Sequence, residues 1–164
     1  MTERQLASFT VEGPVQAEIM VLALVAGDVM LTGPCGAAPW YVEVAQGADP
    51  MAVAAAIIRA NVGEPAVVHS TSWRQARGGV VLTFVAVMDQ AAVGGLDRLP
   101  VQRAELARGA ATAAPAEIAA GPVIEHGLRH LAWLAKDDPA VEGALPAGWL
   151  GVLDGYVPEP FRHL

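Results

Sequence analysis

Residues 42–65 constrain the fold more than any other part of this chain. An apolar segment ends at Val44, and Asp49 then stands directly before Pro50. Asp is a favourable N-cap because its carboxylate accepts free backbone N–H groups, and Pro suits the first position of a helix. The Ala-rich run that follows has high helix propensity, and Gly63 supplies a stop. The pattern predicts a strand and then a capped helix over residues 50–61.

The segments around this unit are typical of β-strands. Residues 17–25 form a nearly continuous apolar run, as expected for a strand that is buried on both faces. The pair Gly27-Asp28 predicts a tight turn into a returning strand. We predict strands at residues 17–25, 29–31, 40–44, 66–74 and 80–88.

The C-terminal part of the chain has a helical pattern. We predict short helices near residues 101–108 and 115–120, a firm helix over residues 122–136, and short helical pieces in the tail. The fold class expected is therefore α/β (α+β), with a mixed sheet flanked by helices and a helical C-terminal extension.

Composition indicates one globular domain. The chain has 164 residues, of which 54% are apolar, so it has enough length and apolar surface for one core. No linker or repeat divides it. We predict a single domain over residues 1–164, with a sheet-and-helix core at 17–88 and a mainly helical part at 101–164.

Charge and cysteine content limit the partners and the compartment. The net charge of −7 argues against a nucleic-acid partner, because phosphates require clustered Lys and Arg. Cys35 is the one cysteine, so no intrachain disulfide can form. No apolar stretch is typical of a membrane span or a signal peptide. We expect a cytoplasmic protein that binds neither nucleic acid nor membrane.

The order of strand pair, Trp, strand, capped helix, Gly and second strand pair resembles the Nudix superfamily over residues 17–88. The positions that match its scaffold are Val44, Gly47, Pro50, Ala54, Ile58 and Gly63, with Trp40 upstream. The resemblance implies a Nudix-like sheet with this helix packed against it. Three motifs also resemble a set of bacterial proteins, and that resemblance implies no activity: Gly-Pro-Cys-Gly-Ala, His-Ser-Thr-Ser-Trp-Arg and Glu-His-Gly-Leu-Arg-His.

The family's catalytic residues are missing from this chain. Nudix enzymes hold divalent metals with acidic side chains on one helix face, and the metals activate water on a diphosphate. The positions where the family has Glu hold Ala48, Ile57, Ala60 and Asn61, and the Arg position holds Ala56. The resemblance therefore implies a degenerate domain without Nudix hydrolase activity.

A polar segment in the predicted strand 66–74 is a candidate ligand-binding wall. It supplies an imidazole, hydroxyls and a guanidinium, and Arg is suited to a carboxylate or phosphate. Strand alternation predicts His69 and Trp73 on one face and Arg74 on the other. The alternative is a solvated edge strand anchored in the core by Trp73. The ligand-binding residues that we predict, for a small anionic ligand, are His69, Ser70, Ser72, Arg74 and Trp40.

His126 and His130 are candidate metal ligands on the firm helix. Residues four apart lie on one side of a helix, and two such His can bind a transition metal when further ligands complete the site. Asp137, His69 and His163 are candidates for that role by residue type only. The alternative is a pair of boundary His packed against neighbouring side chains. Glu125, Arg129 and Lys136 are expected on the solvent side of the helix.

The apolar C-terminal segment has two possible places of burial. The segment 148–153, with Tyr156, Val157 and Phe161, would either complete the core of its own chain or form a dimer interface, which aromatic residues favour. We expect a homodimer.

Three functions remain open from the sequence. The first is a catalytically degenerate Nudix-like domain that binds a small ligand or a partner protein, without a cofactor. The second is a metal-dependent enzyme that uses His126 and His130. The third is a structural or interaction subunit. The balance of the residues favours a protein that is not an enzyme.

Overall fold

A computed structural model describes residues 13–76, 78–106 and 118–159. These residues form a mixed, open sheet of six strands with four α-helices, the last three of which follow the sheet in the chain. The mixed α/β fold with a helical C-terminal region is therefore confirmed.

The strands are β1 (Val15–Val25), β2 (Asp28–Thr32), β3 (Trp40–Val44), β4 (Val67–Ala76), β5 (Gly79–Met88) and β6 (Arg98–Pro100). The helices are α1 (Pro50–Asn61), α2 (Ala120–Asp137), α3 (Pro139–Ala144) and α4 (Trp149–Leu153), with a short 3₁₀ helix at Gln90–Val93. The predicted strands, helix 50–61 and the firm helix agree with these bounds to within three residues.

Strand β1 is the centre of the sheet. The strand order is β4-β5-β1-β2-β6, and β3 pairs with β1 beside β2. β1 runs parallel to β5 over residues 15–23 and antiparallel to β2 and β3. Because neighbours cover both edges of β1 and helices cover both faces, its apolar run is continuous rather than alternating. β4 lies at one edge of the sheet.

The sheet has a helical layer on each face. On the first, called here the α1 face, α1 packs through Ala54 and Ile58 against Ile19 and Phe84. On the second, called here the α2 face, α2 and α4 cover Met20, Leu22, Val85 and Val87. Side chains of alternate residues on β1 and β5 therefore enter two separate apolar clusters.

The ends of α1 follow the sequence signals that predicted the helix. Asp49 accepts a hydrogen bond from the backbone N–H of Met51 at 2.9 Å, and Pro50 occupies the first turn. Gly63 has a φ of +137°, a backbone conformation that residues with a Cβ rarely adopt. Its N–H donates to the carbonyl of Ile58 at 3.1 Å, which closes the helix.

The short helix expected near residues 101–108 is absent from its described part, residues 101–106. Tertiary contacts take up backbone donors of this segment: the Val101 N–H donates to the Val29 carbonyl, and the Ala104 N–H donates to Glu125. The prediction of a short helix near 115–120 is also wrong at residues 118 and 119, which lie before the start of α2 at Ala120. Residues 107–117 lie outside the described residues.

The C-terminal aromatic residues complete the core of their own chain. Trp149, Leu153 and Tyr156 are buried in the cluster on the α2 face, while Leu150 and Val157 are exposed. Phe161 lies outside the described residues. The tail also returns to α2, since the Glu159 N–H donates to the Arg129 carbonyl at 3.2 Å. Among the helices that the structure describes, none is both long and apolar enough to cross a membrane.

Candidate functional site

A β-bulge in β4 decides which way the predicted site residues face. Ser70 pairs with Phe84 and Ser72 pairs with Thr83, so Thr71 is an extra residue between them. Such an insertion reverses the alternation of side chains along the strand beyond it. No glycine or other sequence signal marks the bulge at this point.

The bulge separates the five predicted ligand-binding residues into two groups. His69, Ser72 and Arg74 lie on the α2 face, since their contacts or strand partners lie there. Ser70 pairs with a residue of the α1-face cluster, and Trp40 is buried in that cluster with 5% of its surface exposed. The structure therefore brings three of them to one face and leaves Ser70 and Trp40 on the other.

Arg74 is held in a buried network around Glu18. Its Nη1 and Nη2 donate to the two carboxylate oxygens at 2.7 and 2.9 Å. Tyr41 and Thr83 also donate their hydroxyls to this carboxylate, and Thr83 accepts from Nη1 at 3.2 Å. The Glu18 side chain is 1% exposed and that of Arg74 is 9% exposed. The guanidinium is therefore already neutralised by a carboxylate of its own chain.

The Glu18 carboxylate is ionised because its hydrogen bonds outweigh its burial. Burial alone raises the pKa of Glu18, but donation from Arg74, Tyr41 and Thr83 lowers it, and the net pKa is below the ordinary value. The pKa of Arg74 is raised, chiefly by its hydrogen bonds to Glu18. Both partners therefore stay charged at neutral pH.

The two His of α2 contact different groups of β4. His130 is buried, and its Nε2 lies 2.9 Å from Nε2 of His69. His126 Nε2 lies 3.3 Å from the carbonyl oxygen of Thr71, so His126 covers the bulge. The structure therefore brings His69 to His130, a pairing that sequence spacing alone leaves undetermined. Burial lowers the pKa of His69.

The predicted metal ligands do not gather into one cluster. Asp137 is exposed at the end of α2, and His163 lies outside the described residues. Within residues 13–76, 78–106 and 118–159, no group of three or more His, Cys, Asp or Glu side chains is placed to hold a metal ion. A metal site at His126 and His130 stays a prediction.

Glu125 was expected to face solvent, and that expectation is wrong. Its side chain is 1% exposed, and its carboxylate accepts hydrogen bonds from three groups. Arg103 donates to each oxygen at 3.0 Å, Arg129 donates at 2.9 Å, and the Ala104 N–H donates at 3.3 Å. Arg103 also donates to the Gly155 carbonyl and stacks over Tyr156 at 4.1 Å. Glu125 thus joins α2 to the 101–104 segment and the tail. Arg103 is 22 residues away from Glu125, so spacing gave no signal for that contact. Arg129 lies four residues along the same helix, a spacing that does indicate an ion pair.

Trp73 is the most exposed large apolar residue of β4. Its side chain is 66% exposed, and its strand partner Leu82 belongs to the α1 face. The alternative in which Trp73 anchors the strand in the core is therefore wrong. Ser70 and Gln75 are also exposed, so the outer part of β4 offers one aromatic ring among uncharged polar side chains.

Two surface depressions lie at the end of the sheet where β1 and β5 finish. The smaller has a volume of about 230 Å³, and the larger, more open one has about 580 Å³. They share Asp89 and Gln90. None of the residues predicted to bind a ligand or metal lines either depression.

No protein-family model matches the chain, and no curated protein matches it.

Proposed function

We propose that this chain is a partner-binding domain, in which an extended segment of another polypeptide pairs with the outer edge of β4. The observation that carries the proposal is the 66% exposure of Trp73 on an edge strand. Trp is enriched among the residues that contribute most of the binding energy in protein interfaces.

The edge of β4 lacks most of the features that prevent edge-to-edge pairing. Native proteins protect edge strands with Lys, Pro, bulges or a covering element. β4 contains no Lys and no Pro, and its one charged residue, Arg74, turns inward to Glu18. The bulge at Thr71 is the protection that remains. Residues 72–76 beyond it are regularly paired with β5 and leave their other side open in the described part of the chain.

A peptide strand fits this surface better than a small anion does. Arg74 would have to give up its Glu18 carboxylate to bind an anion, which would leave a buried carboxylate unpaired. Strand addition needs neither charge nor a deep pocket, because main-chain hydrogen bonds supply the affinity and a side chain such as Trp73 supplies contact area. Binding of a small anionic ligand stays a prediction.

The other sequence-based hypotheses also stay predictions. They are the degenerate Nudix-like relationship, the metal-dependent enzyme built on His126 and His130, and the cytoplasmic location. Partner binding at β4 is compatible with the first and the third.

Photo-crosslinking tests the proposal directly. A photoreactive phenylalanine analogue replaces Gln75, which is exposed on β4, and in a matched control it replaces Leu99, which is 59% exposed on the edge strand β6. On irradiation of cells that express the chain, we expect one discrete protein adduct at position 75 and none at position 99.

A second substitution separates strand pairing from random contact. Ser70→Lys places a charge on the exposed edge without entering the core, and it should reduce the adduct at position 75 at least about fivefold because Lys blocks strand addition. No adduct at position 75, or an equal adduct at position 99, would reject the proposal.

A further inference from the structure

We infer that the partner of the β4 edge is a second copy of this chain, paired antiparallel through a two-fold axis at Trp73. This inference rests on the proposed function. An antiparallel pair presents the same pattern of donors and acceptors from both strands, so one edge is complementary to its own copy. A two-fold interface of this kind closes after two subunits and buries both edges.

The exposed ring of Trp73 selects the register. Residues Ser72–Ala76 form the regularly paired part of β4 beyond Thr71. An antiparallel pairing centred on Trp73 sets Trp73 opposite Trp73 of the second copy, and Ser72 opposite Arg74 of that copy. Directly opposed side chains in such a pair have Cβ atoms about 5 Å apart, which suits an aromatic pair. Each exposed ring would then cover the other.

Charge on the edge favours a second copy over a charged peptide. The whole chain carries a net charge of −7, so two copies repel wherever unpaired acids face each other. The segment Ser70–Gln75 has no acid, and the charge of Arg74 is balanced by Glu18 in the same subunit. Two copies can therefore approach along β4 without like-charge contact. An acidic or basic peptide would find no free opposite charge there.

Sedimentation equilibrium of the purified full-length chain tests the assembly. We expect a monomer–dimer equilibrium in the wild type. Trp73→Ser should weaken dimerisation by about 10-fold or more, as expected for removal of a central aromatic residue from an interface. Leu99→Ser removes an equally exposed apolar side chain from the opposite edge of the sheet, and this control should dimerise as the wild type does.

The photoreactive analogue at Gln75 tests the register in the same purified protein. We expect an adduct of twice the chain mass whose attachment point lies between residues 69 and 73 of the second copy. A wild type that stays monomeric at about 100 µM, or a dimer that Trp73→Ser leaves intact, would overturn the inference. An adduct formed in cells at position 75 with a different protein would overturn the second copy as partner, while partner binding at β4 would survive.

Discussion

Arg74 illustrates how one residue can carry stability where sequence suggests binding. The Glu18–Arg74 pair is almost completely buried, so removing one partner leaves an uncompensated charge in the core. We predict that Arg74→Ala lowers the free energy of unfolding by about 3–5 kcal/mol. The double variant Glu18→Leu, Arg74→Met should recover most of that loss, because apolar residues of similar size need no partner. Urea denaturation measures both.

The exposed pair Arg59–Glu64 is the matched control for this prediction. It has comparable geometry, with Nε to Oε2 at 2.7 Å, but its side chains are 54% and 70% exposed. Arg59→Ala should therefore lower the free energy of unfolding far less than Arg74→Ala does, since exposed ion pairs contribute little. Equal losses for Arg74→Ala and Arg59→Ala would contradict the role that we assign to burial.

At the scale of elements, the contact between α2 and β5 depends on one glycine. A Cβ at Gly127 would lie 2.6 Å from Val85 Cγ2, far inside van der Waals contact. Val85 is buried, and its branched side chain is stiff about χ1, so the helix itself would have to move. We predict that Gly127→Ala lowers the free energy of unfolding by about 1–2 kcal/mol. This is the difference between the cost of overpacking and the gain from the higher helix propensity of Ala.

Gly143→Ala in α3 serves as the control for that measurement. A Cβ at Gly143 meets nothing within 4 Å, so the helix propensity gain of up to about 1 kcal/mol should appear undiminished. Thermal unfolding of both variants would show opposite shifts. If Gly127→Ala were as stabilising as Gly143→Ala, the close approach of α2 to the sheet would be wrong.

The elements that sequence could predict are those specified by local patterns. The cap at Asp49, the stop at Gly63 and the apolar run of β1 each follow from neighbouring residues, and these elements form as expected. The segment 101–106 could not be predicted in this way, because contacts with Val29 and Glu125 outweigh its helix propensity. Local propensity is a weak constraint wherever tertiary contacts compete with it.

The strand that carries the polar segment was predicted, but the faces on which its side chains lie were not. The polar segment of β4 was identified from composition, yet the bulge at Thr71 turns Arg74 and Trp73 the opposite way from simple alternation. A bulge that contains no glycine leaves no local signature. The partner of Arg74 is Glu18, which is 56 residues away, so only the pairing of β1 with β5 and of β5 with β4 brings them together.

For the whole molecule, the buried titratable groups make stability fall with acid in two stages. The lowered pKa of His69 means that the unfolded chain takes up a proton more readily than the folded chain. His69 therefore contributes full stability above about pH 6.5 and loses it as pH falls toward its folded pKa. The second stage involves Glu18 and Glu125. Burial raises the pKa of each carboxyl, but the hydrogen bonds lower it by more, so the net pKa is below the ordinary value. The stability that the two carboxylates contribute is therefore lost below about pH 4.5.

Urea midpoints between pH 8 and pH 3 test this order of events. We expect a decline in the free energy of unfolding as the pH falls below about 6.5 that is absent in His69→Gln, and a steeper decline below about pH 4.5 that both proteins share. Each unit of pKa difference between the folded and unfolded chain contributes about 1.4 kcal/mol. His69→Gln also alters the contact with His130, so its stability at pH 8 sets the baseline for comparison. If the decline that begins below about pH 6.5 were unchanged in His69→Gln, the first stage would arise elsewhere in the molecule.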